Sequence, residues 1–356
     1  MADARTAVRA PHLAPKVVFV DGQPGCGKTM LSPIVGALPR VELLQYFYEG
    51  EYTCAMDFLS LIDRSASVTM IRMLTDLRLY NLMMSRDTNF RRGDLSSVFM
   101  NSRPWRYLTR LFQPGNEHVL PRIAAERPIL HLATHNLLGI STPIVEGLGD
   151  RAVFVEVVRH PLYMIRQQAL YTDRYGKDVR DFTVWHTAPG GAPVPFFAAG
   201  WEEQFLAANA WERAILFMER WERQCAALQA AHPAWWESQV LLVPFERFVL
   251  EPHPYMAGIE RALGTSADDV TRRMMKTQCV PRTRIAGGLN LPIYQQYGWQ
   301  PPLAAGTERG ELAARRADAA AHVSPEALER LDRLSGLYEA AHLSDLPALA
   351  KSRSRT

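Results

Sequence analysis

The residues best suited to chemistry stand near the start of the chain. The run from Gly22 to Thr29 reads GQPGCGKT. It fits the phosphate-loop pattern of glycine, four residues, Gly-Lys and then Ser or Thr. Glycines let backbone N–H groups converge on a concave nest, and the helix that follows adds partial positive charge at its N-terminus. Lys28 reaches the terminal oxygens of a bound anion, and Thr29 offers a hydroxyl to Mg²⁺ or directly to an oxygen. Gly22, Gly25, Cys26, Gly27, Lys28 and Thr29 are therefore the first candidate nucleotide-binding residues.

Other candidates lie at the ends of apolar runs. The segment AVFVEVV closes on Arg159, ILHLAT on His135, and QVLLVPF on Glu246. A kinase or NTPase built on this loop needs an acid at the end of a neighbouring strand to hold Mg²⁺. Glu246 is the one acid among these ends. Basic groups where a Mg²⁺ site wants carboxylates predict an anionic ligand handled without metal. VPRTRIAGG adds Arg282 and Arg284, followed by Gly287 and Gly288, and YEGEY adds Glu49 and Glu51. The loop RDTNFRRGDLSS supplies Arg86, Asn89, Arg91 and Arg92, either a solvated loop or an acceptor-reading one. His131, inside an apolar strand, reads as a satisfied core histidine.

These residues need a scaffold. Strands are expected over Lys16–Val20, Ile129–Thr134, Ala152–Val158 and Gln239–Phe245, as short β-branched runs buried on both faces. A helix follows the loop, with Pro33 expected to kink it or to mark its start. A mostly helical stretch is expected over Tyr52–Arg127. A hairpin is expected at Val184–Phe197 around Pro-Gly-Gly, and a long helix from Trp201 to about Ala231. The final helix opens with Ser324 as N-cap and Pro325 at its first position. The Trp and Met residues of the long helix recur near helical spacing and read as core. Strand, glycine loop and helix, repeated with apolar strands, predict an α/β fold. It is a three-layer, P-loop NTPase-like architecture with a central parallel sheet flanked by helices.

Composition narrows the function classes. The chain has 356 residues, 47% of them hydrophobic, and a formal net charge of +3. One domain over 16–345 is expected, with a disordered N-terminal segment at 1–15 and a disordered basic tail at 346–356. The small net charge argues against a general nucleic-acid binder. No apolar run reaches the 18 residues of a membrane span, and no targeting segment is evident. The four cysteines Cys26, Cys54, Cys225 and Cys279 form no CxxC pair, so no metal site is expected and a reduced, cytoplasmic protein is.

Four segments resemble the sulfotransferases that use 3′-phosphoadenosine-5′-phosphosulfate (PAPS). VFVEVVRHPLYMIRQQ is similar to that family's strand-RxP-helix signature for the 3′-phosphate. VLLVPFERFVLEPHPYMAGIERALG is similar to its later strand and Pro segment, and VSPEALERLDRLSGLYE to its C-terminal helix. PILHLATHNL is similar to its strand ending in Thr-His. The likeness runs from about Lys16 to Glu339. Two departures stand out. The loop reads Cys-Gly-Lys-Thr where the family more often has Ser-Gly-Thr-Thr. Gln167 stands eight residues after Arg159, where the family has serine; its amide can still donate to a phosphate oxygen.

The resemblance implies sulfuryl transfer from PAPS to a hydroxyl or amine, without metal. Lys28 would act on the bridging oxygen, where charge develops. Arg159, with Gln167, would hold the 3′-phosphate, and Arg282 and Arg284 would close the nucleotide site. The base would be His135, or an acid such as Glu49. The alternatives are a kinase or NTPase using Mg-ATP or Mg-GTP, and a nucleotide-sensing module without turnover. The acceptor cleft is expected between the region after the loop and the hairpin around Gly190. Composition does not separate a glycan, a lipid and a small metabolite as acceptor, and it sets no oligomeric state.

Overall fold

The computed structural model describes residues 6–285, 287 and 306–346. Five strands build the central sheet: β1 (Lys16–Asp21), β2 (Gln45–Tyr46), β3 (Ile129–Ala133), β4 (Ala152–Val158) and β7 (Val240–Pro244). Their spatial order is β2-β3-β1-β4-β7, and every pairing is parallel. The all-parallel α/β expectation holds, with helices on both faces. Val18 and Val20 of β1 enter one core cluster with Leu31, Ile34, Val153 and Val155. The alternate residues Val17 and Phe19 enter a second cluster with Leu130, Leu132 and Phe154. Successive strand side chains point to opposite faces, and both faces are covered, which explains the unbroken apolar runs. Phe19 and Phe154 stack across neighbouring strands with centroids 4.7 Å apart.

The order of strands places the candidate residues. After β1 the chain runs to β2, on the β3 side of the sheet, whereas after β4 it runs on to β7 on the other side. The adjacent carboxyl ends of β1 and β4 thus form a switch point, where open α/β sheets bind ligands. Residues 22–29, His135, Arg159 and Phe245 all follow carboxyl ends of these strands.

The helices differ in detail from the expectation. The helix after the loop runs Lys28–Gly36 and carries Pro33 in its interior, so Pro33 does not mark its start. The expected long helix is two, Glu202–Ala207 and Ala210–Ala231, because Ala208 and Asn209 leave helical geometry. Asn209 caps the second by accepting from the Trp211 and Glu212 N–H groups, the usual role of Asn at such a position. Trp201, Met218 and Trp221 are buried. Between β2 and β3 lie helices Tyr48–Phe58, Arg64–Met83, Pro104–Arg110 and Val119–Glu126. The hairpin forms from β5 (Trp185–Thr187) and β6 (Pro193–Pro195). Ser324 accepts from the Ala327 N–H at the start of Pro325–Tyr338.

Leu13 and Ala14, in the segment expected to be disordered, donate their N–H groups to the buried Asp76 carboxylate at 2.9 Å each. An acceptor aimed at consecutive N–H groups was invisible in a composition of that stretch. Most of the basic tail, from 347 onward, lies outside the described residues. No helix among them is long and apolar enough to cross a membrane.

Candidate functional site

Residues 22–29 leave β1 and turn into the helix Lys28–Gly36. Gly27 occupies the cap with φ 110°. A Cβ there would fall inside the Phe245 ring, so both conformation and space demand glycine. The Lys28 ammonium donates to the Gly22 carbonyl, folding back along its own loop. Cys26 donates its N–H to the Gln23 carbonyl at 3.1 Å. Its side chain is buried, and burial pushes the thiol up to about 11. The thiol is therefore an inert packing group.

A cavity of about 580 Å³ opens over this loop. Its lining includes Gly25, Cys26, Gly27, Lys28, Thr29, His135, Arg159, Gln167 and Arg282. Residues from five separate stretches of chain thus meet in one place. Gly22, Glu49 and Arg284 do not line it. Glu49 lies outside, its carboxylate 2.6 Å from the Arg78 guanidinium. Arg284 donates to the Gly306 carbonyl at 2.7 Å, and Gly288 is outside the described residues. The polar loop at 86–97 also lies away from the cavity lining. Its donors serve the loop and its neighbours: Asn89 bonds Asp94 and Ser96, and Arg86 bonds Asn116.

Arg159 is fixed beside the phosphate loop. Its Nη1 donates to the Gly25 carbonyl at 2.9 Å. Its guanidinium lies 4.2 Å from the Phe245 ring centroid and 5.0 Å from that of Tyr163, near-contact geometry for cation–π attraction. Its Nε is buried without a hydrogen-bond partner. Burial lowers the Arg159 pKa, the Glu246 carboxylate opposing and nearby Arg315 reinforcing. That Nε lies 3.9 Å from Glu246 Oε1, and an anion bound beside the guanidinium would offset the burial. Gln167 lies against the same glycine: a Cβ on Gly25 would come 3.2 Å from its Oε1. The adjacent Gln168 braces the loop through Nε2, which donates to Gln23 Oε1 at 2.8 Å and to the Pro24 carbonyl at 3.3 Å.

Arg282 also lines the cavity, with its guanidinium 5.6 Å from the Phe245 ring centroid. Glu308 anchors this segment, accepting from the Ile285 N–H at 3.0 Å and the Tyr163 hydroxyl at 3.1 Å. Arg315 lies over the other ring, 4.9 Å from the Tyr163 centroid. Tyr163, Phe245, Gln168, Glu308 and Arg315 were missed in the sequence. Tyr163 and Gln168 sit within the strand-RxP-helix segment, which was the available signal. Arg315 and Glu308 carried none.

His135 lines the same cavity. Glu51 Oε1 accepts its backbone N–H at 2.8 Å and lies 3.2 Å from its ring Nδ1. A carboxylate only accepts, so this pairing favours the Nδ1–H tautomer and leaves the Nε2 lone pair bare. Tyr46 and Tyr48 flank the imidazole, each 6.2 Å away and within 9° of parallel. Of the two acids in YEGEY, Glu51 is the one in the cavity wall. His131, by contrast, is wholly buried and its ring nitrogens lack hydrogen-bond partners. It is a core histidine, as expected, but not a satisfied one. Burial depresses it to about 3, so it stays neutral.

Two acids escaped the reading of strand ends. Asp21 is the last residue of β1, and Glu156 is its register partner within β4. Both are buried behind the phosphate loop, outside the cavity lining. The Asp21 oxygens are occupied: Oδ1 accepts from Thr134 Oγ1 at 3.0 Å, and Oδ2 from the Leu137 and Leu138 N–H groups at 2.8 and 2.7 Å. Burial first, then the Asp21 charge, push Glu156 well above the ordinary carboxylate range, with Lys28 opposing. Like charges this close do not both ionise. Glu156 therefore keeps its proton.

No protein-family model matches this chain, and no curated protein matches it in sequence. Among solved structures, the sulfotransferase domain of the Synechococcus olefin synthase is similar at 16% identity and a TM-score of 0.41, over 96% of this chain and 100% of that one. A sulfotransferase from Mycobacterium tuberculosis is similar at 14% identity and a TM-score of 0.37, over 86% of this chain and 76% of that one.

Proposed function

We propose that this chain transfers a sulfuryl group from PAPS to an acceptor hydroxyl by in-line displacement, without a metal ion. The observation that carries this reading is Arg159 beside the phosphate loop. A nucleoside triphosphate places its anionic groups in the loop alone. A nucleotide with a 3′-phosphate needs a second anion site next to it. Arg159, bonded to the Gly25 carbonyl, and Gln167, packed against the same glycine, supply that site. The carboxylates behind the loop favour the same reading over a kinase. Asp21 is buried outside the cavity lining, and both its oxygens already accept hydrogen bonds from Thr134, Leu137 and Leu138.

In this reading, Lys28, Thr29 and the loop N–H groups hold the 5′ end of the donor, and Arg159, Gln167 and Arg282 hold its 3′-phosphate. The donor supplies a sulfuryl group on a good leaving group. Lys28 leaves the Gly22 carbonyl and meets the negative charge that grows on the departing oxygen. His135 Nε2 takes the acceptor's proton as its oxygen attacks. Glu51 fixes the imidazole and stabilises the cation that results.

The test is thermal stabilisation of the purified chain by adenosine 3′,5′-bisphosphate in EDTA, against ATP with Mg²⁺. A native-state ligand at a hundredfold excess over Kd adds about 2.7 kcal/mol. The bisphosphate is expected to raise Tm without metal. If Mg-ATP alone raises it, the reading is wrong.

A further inference from the structure

The cavity has a second half, and its chemistry differs from the first. Besides the residues of the loop, the lining takes in Tyr48 and Tyr52 from the helix Tyr48–Phe58, and Tyr175, which follows the helix Pro161–Arg174. Phe197, at the foot of the hairpin, closes this wall. The rings are ordered with respect to one another. Tyr48 lies 6.5 Å from Tyr52 at an interplanar angle of 22°, and 6.2 Å from His135 at 8°. Tyr175 and Phe197 are 5.3 Å apart. A series of near-parallel faces therefore runs from Tyr52 through Tyr48 to the His135 imidazole.

Three charged groups of this wall, Asp178, Arg180 and Asp181, have protein partners of their own. Arg180 reaches the Asp178 carboxylate through Nε at 3.0 Å and Nη2 at 2.6 Å. Asp181 accepts from the Gly176 N–H at 2.7 Å, the Thr183 N–H at 3.0 Å and Trp185 Nε1 at 3.2 Å. Such groups rim the chamber without asking for an ionic ligand. A sugar brings many hydroxyls, each of which costs free energy to bury against rings without a partner. An aromatic ring brings a flat face that stacks, offset, on the faces already there.

From this wall, and resting on the sulfuryl-transfer reading above, we infer that the acceptor is a small, uncharged aromatic alcohol of the phenol or naphthol class. Its ring lies among Tyr48, Tyr52, Tyr175 and Phe197, and its hydroxyl points at His135. The phenolic oxygen forms a bond to sulfur as the bond from sulfur to the donor's phosphate oxygen breaks. The phenolic proton passes to His135 Nε2, and the electron pair of the broken bond stays on the departing phosphate. The products are an aryl sulfate and adenosine 3′,5′-bisphosphate.

The experiment titrates the full chain with 2-naphthol, n-octanol and methyl β-glucopyranoside by calorimetry, and with adenosine 3′,5′-bisphosphate in parallel. Naphthol is expected to saturate one site at least tenfold more tightly than either other alcohol. Tyr48→Ala and Tyr52→Ala are each expected to weaken naphthol about tenfold while leaving the bisphosphate affinity unchanged. Phe182→Ala, at an exposed position on the rim of the same chamber, gives a variant with little risk to folding and is expected to weaken naphthol less. Naphthol binding no tighter than the glucoside or octanol overturns the inference, as does an affinity that all three variants leave unchanged. Bisphosphate binding that persists while naphthol fails confines the failure to the acceptor. Naphthol binding that persists while the bisphosphate fails confines it to the donor reading.

Discussion

Glu51 holds His135 twice, through the backbone N–H at 2.8 Å and beside ring Nδ1 at 3.2 Å. One carboxylate oxygen thereby sets both the position of the main chain and the direction of the imidazole. His135→Ala is expected to lower kcat by about 10²–10⁴, the range for losing a general base. Glu51→Gln is expected to lower kcat less, with little change in KM, because an amide can still orient the ring but cannot stabilise its cation. Steady-state rates of sulfate release to an acceptor check both. An unchanged rate in His135→Ala removes it as the base.

Lys28 donates to the Gly22 carbonyl, a neutral acceptor, and in the proposed reaction it turns to the departing oxygen. Lys28→Ala is expected to cost about 10²–10³ in kcat, as for an oxyanion donor, while binding of adenosine 3′,5′-bisphosphate changes far less. Single-turnover rates separate the two. Equal losses in binding and rate would make Lys28 a binding residue only.

Arg159 makes the 3′-phosphate prediction specific. Hydrogen bonds to charged groups contribute about 1.5–3 kcal/mol each. Arg159→Ala should therefore weaken adenosine 3′,5′-bisphosphate by at least tenfold and adenosine 5′-monophosphate little. Calorimetric titration of both nucleotides decides it. Parallel losses would move Arg159 out of the 3′ site.

Glu156 gives a prediction on stability that needs no substrate. The folded chain keeps its proton at a pH where the unfolded chain has lost it. Native stability must then fall as pH rises from the ordinary carboxylate range toward the raised folded value, by up to about 1.4 kcal/mol per pH unit. Glu156→Gln cannot ionise in either state, so the variant should lose less stability between pH 5 and pH 8 than the parent. Urea midpoints at the two pH values measure this. A steeper loss in the variant would mean that Glu156 is ionised beside Asp21.

The sequence alone determined the phosphate loop, the strands that flank it and the basic residues at their ends. Each depends on neighbours within a few positions: glycines where φ is positive, β-branched runs buried on both faces, a cap and a proline at a helix start. Tertiary structure decided which of several local candidates face one cavity. Glu49 and Glu51 are two residues apart on a helix, roughly 200° around its axis at 3.6 residues per turn. Only the packing of that helix turns Glu51 to His135 and leaves Glu49 with Arg78. The Asp21–Glu156 pair follows from the register of β1 on β4, which no local pattern encodes. Arg315 reaches the cavity because its helix lays it across Tyr163, a contact between residues 152 positions apart in the chain (315 less 163). Local chemistry writes the motif, and long-range packing selects which side chains serve it.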